Sequence, residues 1–344
     1  MRVAAKKSAK REFDWRTYSR PSRLLGDELE AALSTGFLAP LLGLARSSPD
    51  LSLQLRAGQA TLYYRGTSLV RVRAGETGAV GEVDANLRLP HSQRSSAERL
   101  ESLPMADPDE VAEAMSVLDS LRVDLDHWSA NGEPAPARQR FLGFLAENSG
   151  RRPGVDELLV VDVEYPYGRR KFDFVAVRRA ESVGGSGAFT TPSLVLGDLR
   201  YPGRPLRGSS RLADFGSDAS ELAHALSGEH LHRVREEIGA LLHQKQRLGL
   251  LPVDIPFERI AEGMPDLLVV FTDPEVIEPQ FDAPIAELHD KLIARRFPVE
   301  KLRFAAVGSA RENFAASDSA DSALHSDDVC DYRAFKSMRK RRRP

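Results

Sequence analysis

The sequence predicts a mixed α/β protein of the α+β kind: an N-terminal unit of helix plus three-stranded β-meander, then a larger unit whose mixed sheet is flanked by helices. Three observations carry this. Residues 51–73 alternate apolar and polar positions strictly, with turn residues at Ala57-Gly58 and Arg65-Gly66-Thr67. Three apolar strands then follow one another between residues 157 and 201, preceded by the helical stretch "ARQRFLGFLAENSG". After them helix and strand patterns take turns: a long helix over 219–251, the strand "DLLVVFTD" at 266–273, a helix over 283–296 and the strand "LRFAAVG" at 302–308.

Taken in order, residues 1–17 form a basic tail (Arg2, Lys6, Lys7, Lys10, Arg11) with little apolar content, expected to be disordered. Residues 18–90 make the first unit. Its helical part spaces Leu24, Leu25, Leu29 and Leu33, then Leu38, Leu41, Leu42 and Ala45, with a break at Gly36. A linker and a long helix occupy 91–134, with an apolar stripe of Val111, Met115, Leu118, Leu121, Val123, Leu125 and Trp128. The second unit spans 135–308. Residues 309–344 read as a second disordered tail ending in "KSMRKRRRP".

Composition excludes several classes. A chain of 344 residues with 42% hydrophobic content supports a real core. No apolar run approaches the ~20 residues of a membrane span, and no signal peptide or anchor is expected. A single cysteine, Cys330, builds neither an internal disulfide nor a thiolate zinc site, which fits the cytoplasm. The net charge of −2 gives no whole-protein attraction to nucleic acid, so such binding rests on local clusters. No glycine-rich phosphate loop is present, since "GGSGAF" lacks the lysine that one needs.

The chemistry concentrates in the three successive strands. In "ELLVVDVEYPYG" Asp162 and Glu164 share a face by alternation, as do Lys171 and Asp173 in "RRKFDFVAVRR". In "LVLGDLRYPGRPLRGSS" Asp198 and Arg200 share one at the end of an apolar strand, where they are either a strand end meeting solvent or a site. The "YYRGTSLVRV" stretch interleaves Tyr63, Tyr64, Arg65, Arg71 and Arg73; it is either a nucleic-acid surface or the polar face of a half-buried sheet.

A helix glutamate, an aspartate on a middle strand and an acid-x-cation pair on the next strand resemble the PD-(D/E)XK nuclease superfamily, which has a restriction-endonuclease-like fold. Residues 135–215 carry the pattern. The strings "YYRG" and "VEYP…FDFVAV" are similar to those of an uncharacterised prokaryotic group within it, extending the resemblance over much of the first 215 residues.

The resemblance implies a cytoplasmic nuclease that uses Mg²⁺ or Mn²⁺ on DNA. Asp173 and Asp198 are then the metal ligands with Glu147 as a third, while Arg169, Arg170, Arg204 and Arg207 contact nucleic acid. The chain departs from the family in having Asp198 where glutamate is usual, Arg200 where lysine is usual, and Phe215 where a histidine tends to stand. A guanidinium stabilises phosphate charge but stays protonated and is no base. Lys171 stands where relatives carry arginine, so lysine and arginine have either changed places between adjacent strands or Lys171 is an ordinary solvent-facing residue. Three classes follow: an active nuclease; an inactive nuclease fold that binds nucleic acid, a protein partner or a second copy of itself; and a structural assembly component.

Overall fold

The computed structural model describes residues 22–48, 50–56, 58–76, 78–83, 103–130, 158–167, 170–178, 191–200, 226, 228–251, 257, 259–271, 289–290, 292–294, 296–306, 329–331 and 334. They form two sheets with helices packed on them, a mixed α+β architecture as the sequence predicts.

The N-terminal unit begins with α1 (Asp27–Ser34) and α2 (Ala39–Ser47). Asp27, Glu28 and Glu30 crowd the first turn of α1, where the positive end of the helix dipole favours them, and Pro40 opens α2 where no amide partner is needed. Next come β1 (Leu51–Arg56), β2 (Gln59–Tyr64), β3 (Thr67–Gly75) and β4 (Gly78–Val83), all antiparallel. Arg65 (φ 46°) and Gly66 (φ 79°) both take left-handed conformations in the β2–β3 turn, which suits the twist of a tight hairpin. Then β5 (Leu103–Met105) pairs with β4, so the expected three-stranded meander is a five-stranded sheet. The added β4 carries Gly78, Ala79 and Gly81, and so lacks the apolar alternation that marks a strand in sequence.

Helix α3 (Pro108–Ala130) packs against β5. Asp107 caps it by accepting the amides of Asp109 (2.9 Å) and Glu110 (3.0 Å), while Glu110 reaches back to the Ala106 amide at 2.8 Å. Its buried stripe is Val111, Ala114, Leu118, Leu121 and Leu125. Val123, expected in that stripe, is 68% exposed, because it lies two residues from both Leu121 and Leu125 and so faces away.

The second sheet contains β6 (Leu158–Tyr167), β7 (Arg170–Arg178), β8 (Ser193–Arg200), β9 (Asp266–Phe271), β10 (Leu302–Ala306) and β11 (Val329–Asp331), in the spatial order β11-β10-β9-β8-β7-β6. The β8–β9 and β9–β10 pairs are parallel and the others antiparallel. The interval 309–344 is therefore not all tail: Val329, Cys330 and Asp331 pair with Ala305, Phe304 and Arg303 as an edge strand. Three residues are too few for a periodic signal, and the pairing partner lies a polar stretch away. Between β8 and β9 runs α4 (Gly228–Arg247), shorter than the 219–251 expected. Gly249 (φ 60°) ends it in a left-handed turn, with the Leu250 amide bonded to the Lys245 carbonyl at 2.8 Å.

One core joins the two sheets, running from Leu29 and Leu41 through Leu53 and Leu62 to Ile238, Leu241, Leu267 and Phe304. A smaller cluster (Val160, Val163, Phe174, Ala176, Val195, Leu199, Leu268, Val270, Ala305) forms a second face of the six-stranded sheet. The N-terminal helices are tied to α4 directly. Gln244 bonds both the amide and carbonyl of Leu25, Arg247 pairs with Glu30 at 2.7 Å, and Arg46 Nε donates to the Leu248 carbonyl at 2.8 Å.

Candidate active site at a fork in the sheet

Strands β7 and β8 pair from Arg178↔Ser193 as far as Phe174↔Gly197, and there the ladder stops. Beyond that pair β7 continues against β6 alone, down to Arg170↔Tyr167, and β8 continues against β9 alone, up to Arg200↔Phe271. The sheet thus splits, and one step past the last pair Asp173 and Asp198 stand across from each other. The carboxylate of Asp173 enters the split: its Oδ2 accepts the Leu199 amide at 2.7 Å, replacing a ladder bond. Both acids are buried, Asp173 at 2% and Asp198 at 6% exposure.

The local sequence explains the split. Phe174 lies over Gly197, where an added Cβ would come within 2.1 Å of the ring, so no other residue fits that last pair without displacement.

The remaining expected residues are placed unevenly. Lys171 is half-exposed and ion-paired with Glu164 Oε1. Arg170 and Arg200 have only their strand backbone described, paired with Tyr167 and Phe271. Glu147, Arg169, Arg204 and Arg207 lie outside the described residues, as does Phe215. Asp162 and Glu164, expected to share a face, have different surroundings: Glu164 has φ 56°, and Asp162 is 0% exposed while the Glu164 side chain is 36% exposed. In the tyrosine-arginine stretch Tyr64 is buried with its hydroxyl on Asp126 (2.6 Å), Arg65 pairs with Asp50 (3.3 Å) and Asp126 (2.9 Å), and Arg73 pairs with Glu82 (2.5 Å).

Asp162 belongs to a second polar centre, which sequence reasoning missed. It faces Arg23 Nε at 3.0 Å and is bonded to Arg56 Nη1. Lys245, buried on α4, donates to Gln54 Oε1 (2.8 Å) and to the Val161 carbonyl (2.6 Å), while Arg23 Nη2 donates to the Glu164 carbonyl (2.7 Å). Cationic side chains thus satisfy two carbonyls of edge strand β6 in place of another strand. Burial pulls the Arg23 guanidinium below its ordinary pKa, only partly offset by Asp162. Burial opposes the charge on Arg56 as well, but Asp162 and Tyr63 together hold it above the ordinary value. Burial brings Lys245 down to about 8 against the pull of Asp162, with Arg56 and Arg23 adding to the fall.

Among the described residues no group of three or more His, Cys, Asp and Glu side chains is arranged to hold a metal, and no single helix is long and apolar enough to cross a membrane. The aspartate pair at the fork nonetheless suits a small hard cation, since Mg²⁺ is commonly held by one or two carboxylates and keeps several waters. No family model, curated protein or solved structure matches the chain.

Proposed function

We propose that the protein is a divalent-metal-dependent nuclease that hydrolyses phosphodiester bonds, with DNA as its substrate. One observation carries the reading: two buried aspartates stand on adjacent strands, one residue past the last pair, where the sheet divides. Two buried carboxylates at one place in a sheet are ligands of the kind that a hard divalent cation takes.

In this reading Asp173 and Asp198 hold Mg²⁺ or Mn²⁺, which when bound polarises the phosphate and acidifies a water. The Leu199 amide fixes one oxygen of Asp173, so the ligand is oriented before any ion arrives. Lys171 brings an ammonium to the same end of β7, where it offsets charge on a phosphate. The D-x-R spacing sets Arg200 two residues beyond Asp198, in the place of the family's lysine, as a second source of positive charge.

A cleavage assay on DNA and RNA with Mg²⁺ or Mn²⁺ tests this. The wild type should cut DNA, and Asp173→Asn and Asp198→Asn should each abolish cutting. A wild type that cuts neither polymer with either metal rejects the enzyme. The ion pair between Lys171 and Glu164 favours one other reading, an inactive nuclease fold that binds nucleic acid or a partner protein, because it engages the ammonium that the chemistry requires. In that case DNA binding survives in the wild type without cleavage.

A further inference from the structure

Edge strand β6 carries a backbone conformation that its sequence does not call for. Glu164 has φ 56° in mid-strand, a region that glycine enters freely and a long side chain enters only under strain. Such strain persists where the surroundings over-determine it. Here Arg23 Nη2 fixes the Glu164 carbonyl at 2.7 Å, and the following Tyr165 is fixed through its hydroxyl to Glu237 Oε2 at 2.5 Å. The kink does not disturb the pairing with β7, since Val163↔Phe174 and Tyr165↔Phe172 keep one register on either side of it. Glu164 therefore stands across from Asp173, which stands across from Asp198. Three adjacent strands thus place one acidic residue each at matching register positions, a row across the sheet.

Lys171 points to what the row is for. Its register partner is Pro166, two residues nearer the hairpin end, yet its ammonium is bonded to Glu164. The side chain thus reaches back along β6 to Glu164. A surface ion pair alone stabilises a fold by little, so this pair does not account for a strained backbone held in place by a buried arginine. We infer that Glu164 is a positioning residue, whose left-handed backbone sets its carboxylate where it draws the Lys171 ammonium to the Asp173–Asp198 fork, to meet a phosphate oxygen of the bound nucleic acid. The inference rests on the metal-dependent nuclease reading of that fork.

The test uses the full chain with ¹³C-dimethylated lysines, which keep their charge and one N–H. The Lys171 signal is assigned with Lys171→Arg and followed during titration with Mn²⁺, whose paramagnetic broadening falls steeply with distance. In the wild type Mn²⁺ should broaden the Lys171 signal, and in Glu164→Gln and Glu164→Gly the broadening should fall several-fold. The glycine variant guards against misfolding, because glycine relieves the strained φ and its Tm should equal or exceed that of the wild type. In Mn²⁺-dependent cleavage both variants should lose about tenfold or more in kcat with KM little changed, and Glu164→Asp should recover part of the loss. Equal broadening of Lys171 in the wild type and both variants, or unchanged kcat, overturns the inference while Asp173-dependent Mn²⁺ binding leaves the nuclease reading standing. Absence of any Mn²⁺ effect that Asp173→Asn removes overturns the nuclease reading and the inference with it.

Discussion

The seam that joins the two sheets and the fork that divides the second one both bury aspartate, and they treat it in opposite ways. At the seam Asp162 meets Arg23 and Arg56, and the surrounding carbonyls meet Arg23 and Lys245. At the fork Asp173 and Asp198 stand one residue past the last β7–β8 pair, and Asp173 accepts the amide of Leu199. The seam assembles complementary charge across sequence separations of more than a hundred residues, which is what holding two units together requires. The fork brings two acids to the same end of adjacent strands and gives one of them a backbone amide. An acid's burial therefore does not by itself reveal its role.

The largest test of that contrast is Asp162→Asn. Two buried guanidiniums would lose the carboxylate they share, and unfolding free energy should fall by roughly 3–5 kcal/mol, measured by urea denaturation. A loss below about 1 kcal/mol would show that the seam is no more than a surface pair in its energetics.

Lys245 gives the next effect, and its sign is unusual. Its pKa is about 8 in the folded protein and about 10.4 in an unfolded chain. Between those values the unfolded chain binds more protons, so stability rises with pH through the window. Below about pH 8 both states hold the proton and burial of the ammonium opposes folding in full, by roughly 2–3 kcal/mol. Urea denaturation of wild type and Lys245→Met at about pH 7 and about pH 10 isolates the lysine from the tyrosines. The wild type should gain on the variant as pH rises; an unchanged gap would mean that the seam offsets the burial of the ammonium completely.

Much of the fork was legible in the sequence and little of the seam was. The alternation in "KFDFVAVRR" and "LVLGDLR" puts Asp173 and Asp198 on consecutive strands, and consecutive strands usually pair. The seam was hidden by distance: nothing local links Arg23 or Arg56 to Asp162. Two signals were nevertheless present. Ser52, Gln54 and Arg56 alternate with Leu51, Leu53 and Leu55, a pattern that reads as one wet face, yet all six are buried. Lys245 continues the spacing of Ile238, Leu241 and Leu242 along α4, a charged residue in an apolar stripe that calls for a buried partner. The backbone of Glu164 escaped because nothing in "VEYP" announces a positive φ at a residue with a long side chain.

Gly197→Ala probes the split itself. The new Cβ meets the Phe174 ring, and forcing it in should cost about 1–3 kcal/mol by urea denaturation. Phe174→Leu added to it should recover part of that loss, because the two residues share the contact. A neutral Gly197→Ala would mean that the ring moves aside freely and that the fork is not set by this pair.

The smallest expected change in stability is the one that separates the two regions most sharply. Asp173→Asn keeps an oxygen to accept the Leu199 amide and removes one of two buried acidic charges on adjacent strands, so unfolding free energy should stay within about 0.5 kcal/mol of wild type or rise. Function should move the other way, with Mg²⁺- or Mn²⁺-dependent cleavage falling by about 10²-fold or more. Binding linkage supplies a check that needs no substrate. An ion that binds only the folded state raises Tm, so Mn²⁺ should stabilise the wild type and leave Asp173→Asn unmoved. If Asp173→Asn instead loses as much stability as Asp162→Asn and Mn²⁺ raises the Tm of neither wild type nor variant, the fork is a second seam. Its aspartates then hold the fold together as Asp162 does, and the nuclease reading falls with the contrast.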